Sequence, residues 1–193
     1  MKWSSVLRRN WPLLIVVVAA AAWWPAYNYL AGFRKPDVPY VTTPDEVITA
    51  MLDLAEVGEK DTVYDLGSGD GRIVLAAARD RGARGVGIEI DPELVDRSRE
   101  SIRAAGLASK VRVIRGDIFK ENLTSATVVM LYLQPNVNER LRPQLDALRP
   151  GTRIVSHMYS IKGAKPVKKI EVHSEETGLD HLLYLWVTPI DWE

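Results

Sequence analysis

The residues of this chain whose types and spacing can do chemistry are a set of carboxylates and a run of alternate glycines. Asp65 precedes Gly67, Gly69 and Gly71 in Val63-Tyr64-Asp65-Leu66-Gly67-Ser68-Gly69-Asp70-Gly71-Arg72, and the apolar run Ile73 to Ala78 follows. Glycine has permissive dihedrals and no Cβ, so such a turn can bring its backbone close to a ligand. A carboxylate at Asp65 can accept hydrogen bonds from an ammonium group or from the N–H groups of the turn. Glu89, in Gly87-Ile88-Glu89-Ile90-Asp91, and Asp117, in Arg115-Gly116-Asp117-Ile118, stand farther along. The glycine spacing separates two kinds of ligand. A dinucleotide turn follows G-x-G-x-x-G, which from Gly67 needs glycine at position 72, and this chain has Arg72 there. The pattern is instead D-x-G-x-G-x-G.

These residues need elements to hold them, and the hydrophobic pattern supplies a regular alternation. Thr43 followed by Pro44 reads as an N-cap with proline at the first helical position, opening a helix from Pro44 to about Val57 that ends at Gly58. The spacing then predicts strand Thr62 to Asp65, helix Gly71 to Arg81, strand Gly85 to Glu89, helix Pro92 to Ala105 and strand Val111 to Arg115. A strand Thr127 to Leu133, a helix Val137 to Leu148 and a strand Arg153 to His157 continue the repeat. Strands alternating with helices of this length imply right-handed crossovers and a doubly wound, mostly parallel sheet. Lys168 to Val172 and Leu182 to Thr188 read as an antiparallel pair at one sheet edge, joined by the polar turn Ser174 to Asp180. No helix is evident between the strand ending at His157 and the one starting near Lys168. Asp65, Glu89 and Asp117 then fall at or just beyond successive strand ends on one edge of one sheet, where ligands of open α/β sheets bind.

The D-x-G-x-G-x-G turn resembles motif I of the class I, seven-β-strand, S-adenosylmethionine-dependent methyltransferases. The resemblance covers about Asp61 to Thr188 and implies a Rossmann-like seven-stranded sheet whose last strand is inserted antiparallel. It also implies roles. Asp65 would orient the glycine loop (Gly67, Ser68, Gly69, Gly71) and the methionine amino group. Glu89 would accept from the ribose hydroxyls, and Asp117 would contact the adenine amino group with Ile90 and Ile118 flanking the ring. The loop after the fourth strand faces the methyl group in that family. Here it is Met130-Leu131-Tyr132-Leu133-Gln134-Pro135-Asn136, without the Asn/Asp-Pro-Pro-Tyr signature of methyltransferases acting on nucleobases or glutamine. Tyr132, Gln134 and Asn136 are groups that can orient an acceptor, and His157 at the end of the fifth strand can accept a proton. The bland readings put Tyr132 in the core, Gln134 to Asn136 at a helix start and His157 in a satisfied hydrogen bond.

Residues 1–36 differ from the rest. Trp11 to Phe33 carries no charge and, as a helix at about 1.5 Å per residue, would be roughly 34 Å long, enough to cross a hydrocarbon core of about 30 Å. Trp11 stands at one end, Trp23, Trp24, Tyr27 and Tyr29 toward the other, with Arg8, Arg9, Arg34 and Lys35 outside them. The reading is an uncleaved transmembrane helix as an anchor. A cleaved signal peptide, with Lys2, Arg8 and Arg9 before Leu13 to Val18 and then Ala20-Ala21-Ala22, is the alternative, and a buried core helix a further one. The flanking charges mildly favour an external domain. S-adenosylmethionine is made and held inside cells, which places the domain on the cytoplasmic side instead, and a monotopic segment lying on or looping within the inner face would remove the conflict.

The 193 residues suit one domain with a substantial core, taken as residues 37–193. There is no cysteine, which excludes disulfides, thiolate zinc sites and a cysteine nucleophile; no metal is expected. Five of the 25 basic residues precede Asp37, so 20 basic residues face 25 acidic ones from there on. That balance argues against nonspecific binding to a nucleic-acid backbone.

The apolar segment, then Pro39-Tyr40-Val41-Thr42-Thr43-Pro44, then the glycine turn together resemble the membrane-anchored protein-lysine methyltransferases. Eukaryotic members of that family modify the mitochondrial ADP/ATP carrier and the ATP synthase c-subunit. In it the Tyr-Val-x-Thr-Pro stretch lies near the cofactor, which makes Tyr40 and Thr43 candidates here. The function expected is S-adenosylmethionine-dependent methylation of a lysine on a membrane-associated protein. An anchor would confine the search to the bilayer surface, and Lys162, Lys165, Lys168 and Lys169 can add contact with anionic headgroups. Methylation of a small molecule or lipid, a tethered module that binds S-adenosylmethionine without catalysis, and an NAD-dependent oxidoreductase, which Arg72 disfavours, are the alternatives.

Overall fold

Residues 40–192 are described by the computed structural model, and the elements follow in the order that the hydrophobic pattern sets. They are α1 (Asp45–Leu54), β1 (Thr62–Leu66), α2 (Arg72–Arg81), β2 (Arg84–Glu89), α3 (Pro92–Ala104), β3 (Val111–Arg115), β4 (Val128–Leu131), α4 (Pro135–Arg140), α5 (Arg142–Asp146), β5 (Arg153–His157), β6 (Lys168–Ser174) and β7 (Leu179–Val187). The strands form one sheet in the order β3-β2-β1-β4-β5-β7-β6. Pairs from β3 through β5 are parallel, and β7 runs antiparallel to both β5 and β6. Strand order reverses between β1 and β4, so the binding crevice of such a sheet opens at their carboxyl ends.

Period-two alternation sends neighbouring residues to opposite faces. Tyr64, Leu66, Val86, Ile88, Val129, Leu131, Ile154 and Trp186 join Val137 of α4, Leu145 of α5 and Leu141 between them in one core layer. Val63, Val128, Met130, Val155 and Leu183 meet Val47, Met51 and Leu52 of α1 and Ile73 and Ala77 of α2 in the other. Asp65, two residues past Val63, therefore shares its face with α1. So does His157, two residues past Val155.

Several boundaries differ from the sequence reading. Thr43 does not cap α1: Pro44 holds the N-cap position, no side chain caps there, and Thr43 is buried. The helix expected over Val137 to Leu148 is broken into α4 and α5. Pro143 explains the break, because it cannot donate to the preceding turn and its ring crowds that turn's carbonyl. The fourth strand is shorter than expected, Val128–Leu131, and the β6–β7 hairpin longer, with its tip at Glu175 to Gly178. No helix lies between β5 and β6, as the pattern implied. Among the described residues no helix is long and apolar enough to cross a membrane. The expected transmembrane helix, Trp11 to Phe33, lies outside the described residues.

Candidate active site

The glycine turn leaves the end of β1 and enters α2 with Gly67, Gly69 and Gly71 all at positive φ, between 54° and 80°. That backbone is strained for a residue with a Cβ. At Gly69 the space is also taken, since a Cβ there would lie 2.5 Å from the Tyr40 ring. The carbonyl of Gly69 accepts from Ser98 Oγ of α3 at 2.8 Å, and its N–H donates to Glu89 Oε2 at 2.8 Å. Glu89 Oε1 accepts from the N–H groups of Ile90, at 2.7 Å, and Asp91, at 2.9 Å. Of roughly four lone-pair directions on a carboxylate, three are thus used by backbone donors, and one on Oε2 is left for a ligand.

Asp70 and Arg72 tie the segment before α1 to this turn. The Arg72 guanidinium bonds both Asp70 oxygens, with Nη2 to Oδ2 at 2.8 Å, and its Nη1 donates to the Thr43 carbonyl at 3.0 Å. The Tyr40 hydroxyl bonds the Asp70 carboxylate. Burial works against the charge of Asp70, yet the Arg72 fork and the Tyr40 hydroxyl hold its carboxyl below the usual range. The structure thus brings Tyr40 and Thr43 to the glycine turn. Arg72, which had only excluded a dinucleotide turn, proves to be the clamp.

Asp65 is the electrostatic centre of this half. Its carboxyl is buried, and burial first, then the charges of Glu89 and Asp70, push it up to about 8. Three carboxyl groups converge on the turn, Arg72 pairs with Asp70, and the charges that act on Asp65 are both negative, an arrangement suited to a positively charged ligand. Ser68 Oγ is buried in the same turn without a hydrogen-bond partner. Asp117 caps the turn after β3, its Oδ1 accepting from Phe119 N–H at 3.0 Å, and Ile118 packs against the core beside it. Ile90 is partly buried at the end of β2.

The other half lies at the ends of β4, β5 and β7. Half-buried Tyr132 lies against His157, with ring centroids 3.9 Å apart. His157 is fully buried, and its Nε2 lies 2.8 Å from His181 Nδ1 of β7. His181 Nε2 lies 3.1 Å from Thr177 Oγ1 at the exposed hairpin tip. Burial first, then the neighbouring His181, drives the His157 imidazole down to about 3, so it is neutral at physiological pH. Burial and then Tyr159 raise the Tyr132 phenol. Gln134 and Asn136 are exposed at the start of α4. The sequence reading missed Asn138, which is fully buried with neither side-chain polar atom partnered. It also missed His181. The available signals were a polar residue beside Val137 in the first turns of a buried helix, and a histidine in strand phase with Leu183.

The family model described as the ANTKMT methyltransferase domain matches residues 65–168. The chain belongs to that family. A protein-lysine N-methyltransferase of Saccharolobus islandicus is 42% identical over 154 residues, covering 79% of this chain and 94% of that protein. An adenine nucleotide translocase lysine N-methyltransferase of Mus musculus is 36% identical over 141 residues, 70% of this chain and 61% of the mouse protein. Among solved structures, an RNA methyltransferase from Salinibacter ruber in complex with S-adenosyl-L-homocysteine has a TM-score of 0.73 and 47% identity, over 77% of this chain and 94% of that one.

This member of the ANTKMT family is an S-adenosylmethionine-dependent methyltransferase, and its residues fit that cofactor. A buried carboxyl without a cation, at Asp65, suits an ammonium group, and a turn with no room for side chains at Gly69 suits close backbone approach. Bound there, S-adenosylmethionine supplies a methyl group already activated by its sulfonium.

Proposed function

We propose that this chain methylates the ε-amino group of a lysine on a membrane-associated protein. Residues 1–36 serve as a membrane anchor and 37–193 as the catalytic domain, on the cytoplasmic side. The observation that carries the lysine is the likeness, over nearly its whole length, to the S. islandicus relative named for that activity. The mouse relative, named for a translocase, supports a membrane protein as target.

The geometry supports the following roles. Asp65 takes the ammonium of the cofactor, and its proton leaves as the ion pair forms. Glu89 accepts a ribose hydroxyl at its remaining Oε2 lone pair while fixing Gly69. Asp117 offers Oδ2 to the adenine amino group, between Ile90 and Ile118. Gly67, Ser68, Gly69 and Gly71 shape the cradle, and Tyr40 and Thr43 close it through Asp70 and Arg72. Tyr132, Gln134 and His157 serve the acceptor. Methyl transfer needs an unprotonated amine held in line with the methyl, so this half of the site orients the lysine and removes a proton.

The Salinibacter ruber structure, named an RNA methyltransferase, favours a second reading. Charge weighs against RNA here. The domain carries 20 basic and 25 acidic residues from Asp37 on, and the hairpin beyond His157 exposes Glu175, Glu176 and Asp180 with Glu46 of α1 beside them. Phosphate backbones need the opposite sign, whereas a cationic segment is attracted. Methyl-labelled S-adenosylmethionine incubated with the full chain and a membrane fraction decides the matter. The label should survive ribonuclease, be released by protease and appear as methyl-lysine after hydrolysis. Label lost to ribonuclease, or extracted with lipid, would overturn the lysine assignment.

A further inference from the structure

The histidine pair at the ends of β5 and β7 has a polarity that hydrogen-bond accounting fixes. His157 Nε2 and His181 Nδ1 face each other at 2.8 Å, so one carries the hydrogen and the other accepts. If His181 donated, the neutral His157 ring would carry its hydrogen on Nδ1, an atom buried with no acceptor. A buried N–H left without a partner is rarer and costlier than an idle lone pair. His157 is therefore the donor through Nε2–H, and its Nδ1 is an open lone pair. By the same logic His181, accepting at Nδ1, carries its hydrogen on Nε2 and donates to Thr177 Oγ1 at 3.1 Å. Every hydrogen in the chain points outward, from the buried ring beneath Tyr132 to an exposed hydroxyl on the hairpin.

Position connects this chain to the chemistry. Asp65 pairs with Met130 and Met130 with Val155, so Tyr132 and His157 lie two residues farther toward the carboxyl edge, on the next strands over. At about 5 Å per strand, His157 is roughly 10 Å across the sheet from the carboxyl that takes the cofactor's ammonium. The half-buried Tyr132 ring faces His157 from the end of β4, with Tyr159 acting on it, and His181 faces it from β7, while the exposed Glu46 of α1 bonds Ser174 at the far hairpin end.

We propose that His157, His181 and Thr177 form a proton exit for the acceptor amine, with His157 Nδ1 its entry. The proposal rests on the lysine reading above. The acceptor R–NH3+ gives a proton to Nδ1, which is buried in the acceptor-free protein and must be uncovered as the amine binds. The Nε2 hydrogen of His157 passes to His181 Nδ1, the Nε2 hydrogen of His181 passes to Thr177 Oγ1, and the hydroxyl's own hydrogen passes to water. The freed amine lone pair forms the new C–N bond as the methyl–sulfur bond breaks and sulfur keeps its electron pair. One transfer thus releases one proton at the hairpin without any ring holding a net charge, and it leaves both rings with their hydrogen on Nδ1, so each must return to its Nε2–H form before the next transfer. Neutrality matters because a buried imidazolium beside a second imidazole is disfavoured.

Nitrogen-15 NMR of the full chain in detergent reads the tautomers directly. His157 should show a protonated Nε2 and an unprotonated Nδ1 from pH 6 to 9, and the reverse tautomer would overturn the polarity. Initial rates at saturating S-adenosylmethionine, with an oligolysine peptide as probe, read the transfer. His181→Phe should lower kcat about tenfold at neutral pH, and Thr177→Val less, with cofactor Kd unchanged. The loss should shrink toward pH 10, where the amine sheds its proton unaided. A loss independent of pH, or none, would sink the relay. If the wild type transfers nothing to lysine, the substrate reading falls instead, and the tautomers still report on the chain.

Discussion

The cofactor half and the acceptor half of the site are built on different principles. At β1 and β2 the ligand surface is mostly backbone: three left-handed glycines, and a Glu89 carboxylate that spends three of its lone pairs on N–H groups of Gly69, Ile90 and Asp91. At β4, β5 and β7 it is side chain on side chain, with Tyr132 on His157, His157 on His181 and His181 on Thr177. Both halves hold buried polar atoms without partners, Ser68 Oγ in one and His157 Nδ1 in the other. On the reading proposed above, backbone constraint suits the first half to a single methyl donor. Side-chain construction leaves the second free to serve different acceptors on the same frame, which suits a family whose relatives carry both lysine and RNA in their names.

Asp65→Asn breaks the cofactor half and has the largest expected effect. The folded protein holds a proton on Asp65 up to about 8, against an ordinary value of 3.8, so the folded state binds more protons than the unfolded one between those limits. Stability must fall as pH rises through that window, by about 1.4 kcal/mol per pH unit from this group. Urea melts of the wild type should show that slope between pH 5 and 8, and Asp65→Asn should flatten it while making the cofactor-free protein more stable. Cofactor binding moves the other way. The amide cannot form the ion pair, so calorimetry should find affinity reduced by about a hundredfold or more. Wild-type binding should release a proton near pH 7, seen as a dependence of binding enthalpy on the buffer. A variant with wild-type affinity would remove Asp65 from the site.

The same contrast governs what the sequence discloses. The glycine turn, Glu89 and Asp117 were legible because each is local: a motif of ten residues, or a carboxylate at a strand end that hydrophobic periodicity locates. The antiparallel edge was legible too, because seven residues of polar turn cannot hold a crossover helix. The clamp was not, since nothing in Asp70-Gly71-Arg72 says that the guanidinium reaches back to the Thr43 carbonyl. For the same reason Thr43 read as a cap, when its backbone, and not its hydroxyl, makes the useful bond. The acceptor half was legible only in Tyr132 and His157. His181 enters through the register of β7 on β5, which is a property of the sheet and not of either strand. Residues 1–36 are the opposite case, vivid in sequence and absent from the described fold.

Asn138→Leu, on the helix that follows the loop after β4, has an effect of intermediate expected size. Two orphaned amide atoms inside a helix turn that packs on the core are a standing cost, and replacing them with a similar apolar volume should stabilise the protein by about 1–3 kcal/mol. Cofactor affinity should be unchanged, because the cofactor half is held by β1 to β3. If the amide is kept for the acceptor, methyl transfer falls while stability rises. Denaturant melts paired with initial rates separate the two, and a variant that is both more stable and fully active would show the amide to be a packing defect.

Gln134→Ala has the smallest expected effect and sharpens the boundary between the halves. Gln134 is exposed, and its backbone carbonyl, not its side chain, accepts the first bonds of α4 from Val137 and Asn138. Its side chain makes no capping bond, so truncation should change stability by no more than about 0.5 kcal/mol. Cofactor Kd should not move either. A rise in KM for the lysine acceptor at constant kcat would mark Gln134 as an outer contact for the bound segment. A fall in kcat at constant KM would mean that the loop after β4 closes during turnover and carries the amide inward, drawing the exposed rim into the same chemistry as the buried rings.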